Sequence, residues 1–585
     1  MSIDFLASPI RETAHRGGDD LLTAGLGIAG LRGPPVPFAN ADAPTASELR
    51  RRAIQANWKG IADLGPLGGY GELYGSTAGV PGREYHAFAK VSGAASPHRI
   101  LVQIPDGFDA RARCLLVTAS SGSRGIYGAI ALAGAWGLPN GCAVAYTDKG
   151  AGTGFFDAAT GSGAALDGTR STDAAQLEFA PNACADGGIA AKHAHSGDNP
   201  ENDWGRHVLQ TAHFGLAMLD RAFPQGAPFT AHNTRIVAVG LSNGAGAVLQ
   251  AAGIDSSQLL AGVVALAPNV NVPAAKGARP LYDYTTEAAL LVPCALTAAR
   301  FDAVPFARAA GKVAPAWQAR GAALQARGML HGADAAAQAN DAFERLRANG
   351  WDDAALATAA SSTAFDIWRA VAVAYAASYA RTGAGNMPCG FGYSAHDASG
   401  NPRPSTTAER AAWWADSSGI PPGAGVFIDE TAAVNDAADP TLRGLLCLRA
   451  LWTAQDTMAK TVRASIAATA VQLPRKELPV WVIHGKEDGL LPIAFNSDPY
   501  VDWLRSNGRV PIYWPIAHAQ HFDAFLAFPG FGDRYMPLLP YGYAALDRMW
   551  SHLINGEALE SNLVPTAAPR GAGKLEAAHF GINKR

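Results

Sequence analysis

A serine hydroxyl attacks a carbonyl carbon only when a base takes its proton and a third group holds that base. Three stretches of this sequence carry the residue types for such a relay. The first is Gly240-Leu241-Ser242-Asn243-Gly244, a G-x-S-x-G spacing that suits a sharp strand-to-helix turn with the hydroxyl lifted into the open. With 64 glycines in 585 residues the pentad arises by chance often enough that its setting must carry the assignment. That setting is favourable: Arg235 to Val239 reads as a buried parallel strand and Ala245 to Ala252 as the helix that follows, which makes Ser242 the candidate nucleophile. The second stretch runs from Trp481 to Pro492, where a strand ends in a glycine turn and Asp488 stands in the loop beyond, with Glu487 as the neighbouring alternative acid. The third is Ala517-His518-Ala519-Gln520-His521-Phe522-Asp523, directly after the strand pattern Val510 to Pro515. His521, with the Phe522 to Phe525 turn behind it to hold the ring, is the candidate base; His518 is the alternative, as a cap or substrate contact. Serine, acid, histidine is the chain order such a nucleophile turn requires.

Charge that develops on the attacked oxygen needs donors already in place. By position the Asn243 amide supplies one. The run Thr118 to Gly125 lies between a strand pattern and a helix pattern, with residues small enough to bring backbone amides close to a substrate, so Ser121, Gly122 and Ser123 are the candidates for the second. The run lacks a histidine-glycine-glycine signature.

The elements that must hold these groups alternate. Strand patterns at Arg99 to Ile104, Arg113 to Thr118 and Gly141 to Thr147, with a helix near Gly125 to Trp136, read as parallel α/β structure. A glycine-rich stretch from Lys149 to Gly197 reads as loop, and Arg206 to Phe223 as helix. Strands Thr234 to Gly240 and Leu259 to Ala267 flank the Ser242 turn, and strand character returns at Leu478 to His484 and Val510 to Pro515. Between them, residues 272–474 are dominated by alanine-rich helical patterns (Trp317 to Asn349, Ala364 to Arg381, Pro440 to Val471), broken by a proline- and glycine-rich loop from Gly383 to Gly425. This predicts a sheet domain in two parts, 1–271 and 475–585, interrupted by a mainly helical insertion, 272–474, lying as a lid over the carboxyl ends of the strands. The segment before residue 99 reads as an irregular extension packed on the main domain.

Composition narrows the partners. Charged residues are 17% and the formal net charge is -3, which leaves no footprint for nucleic acid or an acidic membrane and points to a neutral or modestly charged small molecule. No continuous apolar run is long enough to span a bilayer. Six cysteines lie far apart without metal-finger spacing; disulfides among them are not readable from the sequence, and buried free thiols fit Cys114 and Cys142 best, at the edges of strand patterns. Of the other constellations, His193-Ala194-His195 could open a metal site, but no downstream aspartate-histidine pair matches it, and it reads as a polar loop near the cleft. Gly150 to Gly154 lacks the lysine of a phosphate loop and reads as a flexible, site-lining loop. Trp351, Trp368, Trp413 and Trp414 read as core residues. The opening residues carry Asp4, Arg11, Glu12 and Arg16 where a secretory leader needs an apolar run, so either the protein stays inside the cell or a leader has been removed.

The segments DDLLTAGLG (19–27), TASSGSRGIYGAIALAGAWGL (118–138), GCAVAYTDKGAGTG (141–154), LSNGAGAVLQAA (241–252) and AQHFDAF (519–525) resemble the D-(-)-3-hydroxybutyrate oligomer hydrolases over nearly the whole chain. The resemblance implies an α/β-hydrolase fold, a charge-relay serine at Ser242 and hydrolysis of short 3-hydroxybutyrate oligomers released from the polyester; a serine-histidine-aspartate relay by itself requires no cofactor. It also implies a secreted or periplasmic protein whose leader is absent from this chain. Ala245 departs from the family's S-N-G-G-G. A broader carboxylesterase for aryl, feruloyl or synthetic polyester substrates, and a non-catalytic binding protein on the same scaffold, are the competing readings.

Overall fold

The computed structural model describes residues 3–76, 78–181, 188–416, 418–430 and 438–582; Cys184 lies outside them. Nine strands form the central sheet: β1 (Arg11–His15), β2 (Gly82–Ala89), β3 (His98–Pro105), β4 (Cys114–Ala119), β5 (Ala143–Thr147), β6 (Arg235–Leu241), β7 (Gly262–Leu266), β8 (Val480–Gly485) and β9 (Ile512–Ile516). Their order is β1-β2-β3-β5-β4-β6-β7-β8-β9. β1 to β3 pair antiparallel, as does β3 with β5; from β5 across to β9 every pair is parallel. The central strands are apolar on both sides because both faces are covered. In β6, Val237, Val239 and Leu241 join one core while Ile236 and Ala238 join the other. Helix α1 (Ala46–Ile61) packs Leu49, Ile54 and Trp58 on the first face. Helices α2 (Pro200–Ala222) and α3 (Asn243–Ile254) pack Trp204, Val208, Val248 and Leu249 on the second. A mixed sheet of this order, with a sharp strand-turn-helix connection after β6, is an α/β-hydrolase sheet.

Between the parallel neighbours β7 and β8 the chain leaves the sheet. This stretch carries helices Leu281–Ala295, Pro315–Ala326, Ala335–Ala348, Asp353–Ala364, Ile367–Ala380, Thr407–Asp416, Leu442–Thr453 and Thr457–Ala468 around a core of their own. The pattern over Trp317 to Asn349 is split where the backbone turns left-handed at Gly328 and Gly332, and that over Pro440 to Val471 where Asp456 caps a new helix by accepting from the Ala459 amide; the helix of the Ala364 to Arg381 pattern starts after the left-handed Asp366.

Several expectations need correction. The segment before residue 99 is not irregular, since it supplies β1, β2 and α1; glycine and proline around these elements masked them. The stretch 383–425 holds an antiparallel sheet strand, Phe391–His396, whose burial alternates, and the helix Thr407–Asp416. Lys149 to Gly197 includes a strand pair, Phe155–Asp157 with Ile189–Ala191. Cys114 and Cys142 are joined in a disulfide rather than free, because β4 and β5 are neighbours that bring the two residues to a Cα separation of 4.6 Å. A second disulfide joins Cys389 to Cys447.

Candidate active site

Parallel strands end at one edge of a sheet, so the loops after β4, β6, β8 and β9 meet there. Ser242 follows β6 directly. Its backbone (φ 59°, ψ -124°) is one a side chain rarely adopts. The turn is locked from both sides: the Ser242 amide donates to the Leu266 carbonyl at 2.9 Å, and its own carbonyl accepts from Gly246 at 3.1 Å. Gly240 and Gly244 are required by close approach. A Cβ at Gly240 would meet the Gly244 carbonyl oxygen at 2.3 Å, and one at Gly244 would meet the Ala119 carbonyl oxygen at 2.3 Å.

His521, in the loop after β9, lies with Nε2 3.0 Å from Ser242 Oγ and Nδ1 2.7 Å from Asp488 Oδ2. Asp488 is fully buried. Its other oxygen accepts the Leu490 and Leu491 amides at 2.9 and 2.7 Å. Burial works to raise its pKa, but the His521 charge and the hydrogen bonds from His484 and His521 outweigh it and hold the carboxyl below the ordinary range. With Asp488 ionised, Nδ1–H of His521 donates to it and Nε2 is left to accept the Ser242 hydroxyl. His484, at the end of β8, is a partner that the sequence pattern did not single out. Its Nε2 lies 3.2 Å from Asp488 Oδ2 and 2.9 Å from the Leu491 carbonyl, and its Nδ1 lies 2.5 Å from Ser497 Oγ. A histidine closing the strand four residues before the acid was its one visible signal.

The alternatives stand apart from Ser242. His518, at φ 58° and half exposed, faces Glu487 at 3.4 Å, and its amide donates to the same carboxylate at 3.1 Å. Burial raises the Glu487 pKa, opposed by His518.

Asn243 opens α3, so its amide has no intrahelical acceptor. Its side chain is fixed, with Nδ2 donating to the Tyr375 hydroxyl at 2.8 Å and Oδ1 accepting from Asn269 at 2.9 Å. Of the loop candidates after β4, the Ser121 amide is already committed to the Gly128 carbonyl at 3.2 Å. The Gly122 and Ser123 amides donate to no protein acceptor among the described residues. The loop is braced from beneath. Lys149 Nζ donates to Ser120 Oγ at 3.0 Å and to the Gly122 carbonyl, and burial brings its pKa down to about 7. The Ser123 hydroxyl donates to His193 Nδ1 at 2.6 Å, and His193 Nε2–H donates to Glu201.

That last arrangement corrects two expectations. His193 and His195 lie in a short buried helix, Lys192–His195, not a polar loop, because Lys192 makes a buried ion pair with Asp148. No group of three or more potential metal ligands occurs among the described residues. Ala151 and Thr153 of the Gly150 to Gly154 run are buried and do not line the cavity; Thr153 is tied to the Trp414 carbonyl at 3.0 Å. Trp351, Trp368, Trp413 and Trp414 are all buried in the cores.

Ser242 and His521 open on a cavity of about 250 Å³. Asn243 and Ser121 to Ser123 line it from the sheet side; Phe365, Ile367, Val371 and Ile420 line it from the helical insertion. Such a pocket suits a small, largely apolar molecule bearing a carbonyl. No helix among the described residues is long and apolar enough to cross a membrane.

The family model described as 3HB-oligomer hydrolase matches residues 4–583. A D-(-)-3-hydroxybutyrate oligomer hydrolase of Paracidovorax citrulli is 38% identical, with 96% of this chain and 89% of that protein covered. A protein of the same name from Cupriavidus metallidurans is 36% identical, covering 98% and 87%. Among solved structures, feruloyl esterase B from Aspergillus oryzae aligns with a TM-score of 0.39 at 13% identity, covering 86% of this chain and 85% of that one. The rice cell wall degrading esterase LipA from Xanthomonas oryzae aligns with a TM-score of 0.35 at 10% identity, covering 75% and 83%.

Proposed function

The chain belongs to the 3HB-oligomer hydrolase family and is an ester hydrolase acting on 3-hydroxybutyrate oligomers; we propose that it works through an acyl-enzyme on Ser242, with His521 as base and Asp488 as its orienting acid. The observation that carries this reading is the pair of bonds on one imidazole, Nε2 to Ser242 at 3.0 Å and Nδ1 to Asp488 at 2.7 Å. His521 Nε2 takes the hydroxyl proton as Ser242 Oγ bonds the ester carbonyl carbon. The Asn243 amide, with Gly122 or Ser123, receives the oxyanion. As the intermediate collapses, the acyl carbon–oxygen bond breaks and His521 returns the proton to the departing alcohol, the hydroxyl end of a shorter oligomer or of 3-hydroxybutyrate. Water, deprotonated by the same nitrogen, then releases the acid and restores Ser242.

Residues 272–474 act in this scheme as a lid that walls the cavity with apolar side chains and excludes bulk water. The two disulfides favour an oxidising compartment, secreted or periplasmic, as its place of work. The test is Ser242→Ala, assayed on 3-hydroxybutyrate dimer with circular dichroism as the control for folding. Turnover is expected to fall by roughly 10³-fold or more with the spectrum unchanged, and a folded variant that keeps most of its activity removes the serine from the mechanism.

A further inference from the structure

Arg124 follows the loop after β4 and lines the same cavity as Ser242 and His521. It is the one permanently charged side chain among the described residues lining that cavity; the others are neutral or apolar, apart from the imidazole of His521. Three buried arginines are neutralised, Arg50 by Glu84, Arg99 by Glu178 and Arg320 by Asp439, while Arg170, which has no ion pair among the described residues, gives its Nη1 and Nη2 to the Phe155 and Ser162 carbonyls and the Ser162 hydroxyl. Arg124 has no carboxylate within ion-pair distance among the described residues. Its guanidinium has one protein acceptor, the Gly60 carbonyl at 3.1 Å from Nη2, out of five N–H groups it can donate. Burial brings its pKa down to about 10, with no opposing charge to restore it.

The placement is built. Gly60 lies in the last turn of α1, where a Cβ would come within 2.2 Å of Arg124 Nη1, so a residue unfavourable in a helix makes room for the guanidinium. On the other side the Arg124 backbone bridges to Ser418 of the helical insertion, and Gly419 donates to the Ser123 carbonyl at 2.7 Å. A cation left without a partner in an apolar pocket is unfavourable until an anion arrives.

The substrate has one. A 3-hydroxybutyrate oligomer is a methyl-bearing chain of esters with a hydroxyl at one end and a carboxylate at the other. We propose that Arg124 binds that free carboxylate, so that the enzyme selects oligoesters by their acid end. This rests on the hydrolase reading above. Whichever ester is cleaved, the carboxylate belongs to the departing alcohol, so Arg124 holds the leaving fragment while Ser242 keeps the acyl part. Ile61, Ile367, Val371, Ile420 and Leu490 give the intervening methyl groups an apolar wall.

The experiment compares 3-hydroxybutyrate dimer with its methyl ester, which keeps the internal ester bond and removes the charge; release of the hydroxybutyryl acyl part is followed chromatographically. The wild-type enzyme is expected to show a kcat/KM about 100-fold higher for the acid, chiefly through KM, as loss of a charge-assisted bidentate contact predicts. In Arg124→Gln that ratio should fall to near one, and Arg124→Lys should recover part of it. Equal wild-type kcat/KM for the two forms overturns the proposal without need of any variant, as does a ratio that survives in folded Arg124→Gln. Failure of the underlying reading looks different: the wild-type enzyme then cleaves p-nitrophenyl butyrate but neither dimer, and the Arg124 proposal falls with it.

Discussion

An imidazole serves as a base at one nitrogen only while something holds the other, and this separates two histidines three positions apart. His521 is held by Asp488, itself held by two loop amides and by His484; His518 points to Glu487 near the surface. His521→Ala is therefore expected to lower kcat on hydroxybutyrate dimer by roughly 10³-fold or more, and Asp488→Asn by about 10³- to 10⁴-fold. His518→Ala should change kcat less than about tenfold. Steady-state kinetics on the three variants decide the matter, and a His518→Ala loss equal to that of His521→Ala would reverse the assignment. At this scale the sequence offered both histidines in suitable loops. The choice between them depended on a carboxylate 33 residues away.

The strand-turn-helix element is legible because its signal is local. Gly240, Ser242 and Gly244 fall between a strand of alternating buried faces and a helix of small residues, and each glycine answers to a backbone atom that leaves no room for a methyl group. Ala245, the next residue, is different: its methyl group sits in the core on the α3 side of the sheet. Gly244→Ala should cost about 2–4 kcal/mol of stability and most of the activity, whereas Ala245→Gly should cost about 1 kcal/mol with turnover retained. Thermal unfolding and dimer hydrolysis on the two variants check this, and a Gly244→Ala enzyme as stable and active as the wild type would contradict the close approach to Ala119. The N-terminal strands were not legible in this way. β1 is exposed along most of its length and β2 follows a loop rich in glycine and proline, so neither shows the pattern of a covered strand until β3 is beside it.

Across the whole molecule, burial has left histidines that must stay neutral. Burial, aided by nearby charges except at His195, brings the pKa values of His86, His98 and His195 down to about 3, and that of His207, which packs against His98 at 4.2 Å, well below its usual value. A depressed histidine pKa means that the unfolded chain binds the extra proton, so stability is full above the unfolded value near 6.5 and is lost as pH falls below it. Each such histidine removes up to about 2 kcal/mol at pH 5. Asp523, raised to about 7 by burial, acts in the opposite sense, gaining stability as pH falls through that value, and offsets part of the loss. The melting temperature should be lower at pH 5 than at pH 7, and His98→Phe should flatten the dependence. A melting temperature that holds or rises at pH 5 would show that these rings are not kept neutral by the fold.

What the sequence determined by itself was the set of short-range facts: a glycine-flanked serine between strand and helix, the order serine, acid, histidine, and an alternating pattern that makes a covered parallel sheet. These depend on backbone sterics and on periodicities of a few residues. Tertiary structure decided which histidine reaches Ser242 across 279 positions, that Cys114 and Cys142 pair, and, among the described residues, which loop amides are left without acceptors and that Arg124 stands beside an apolar cavity without a carboxylate. Each of those is a distance between groups far apart in the chain, and the packing of the sheet and the helical insertion, rather than local propensity, sets that distance.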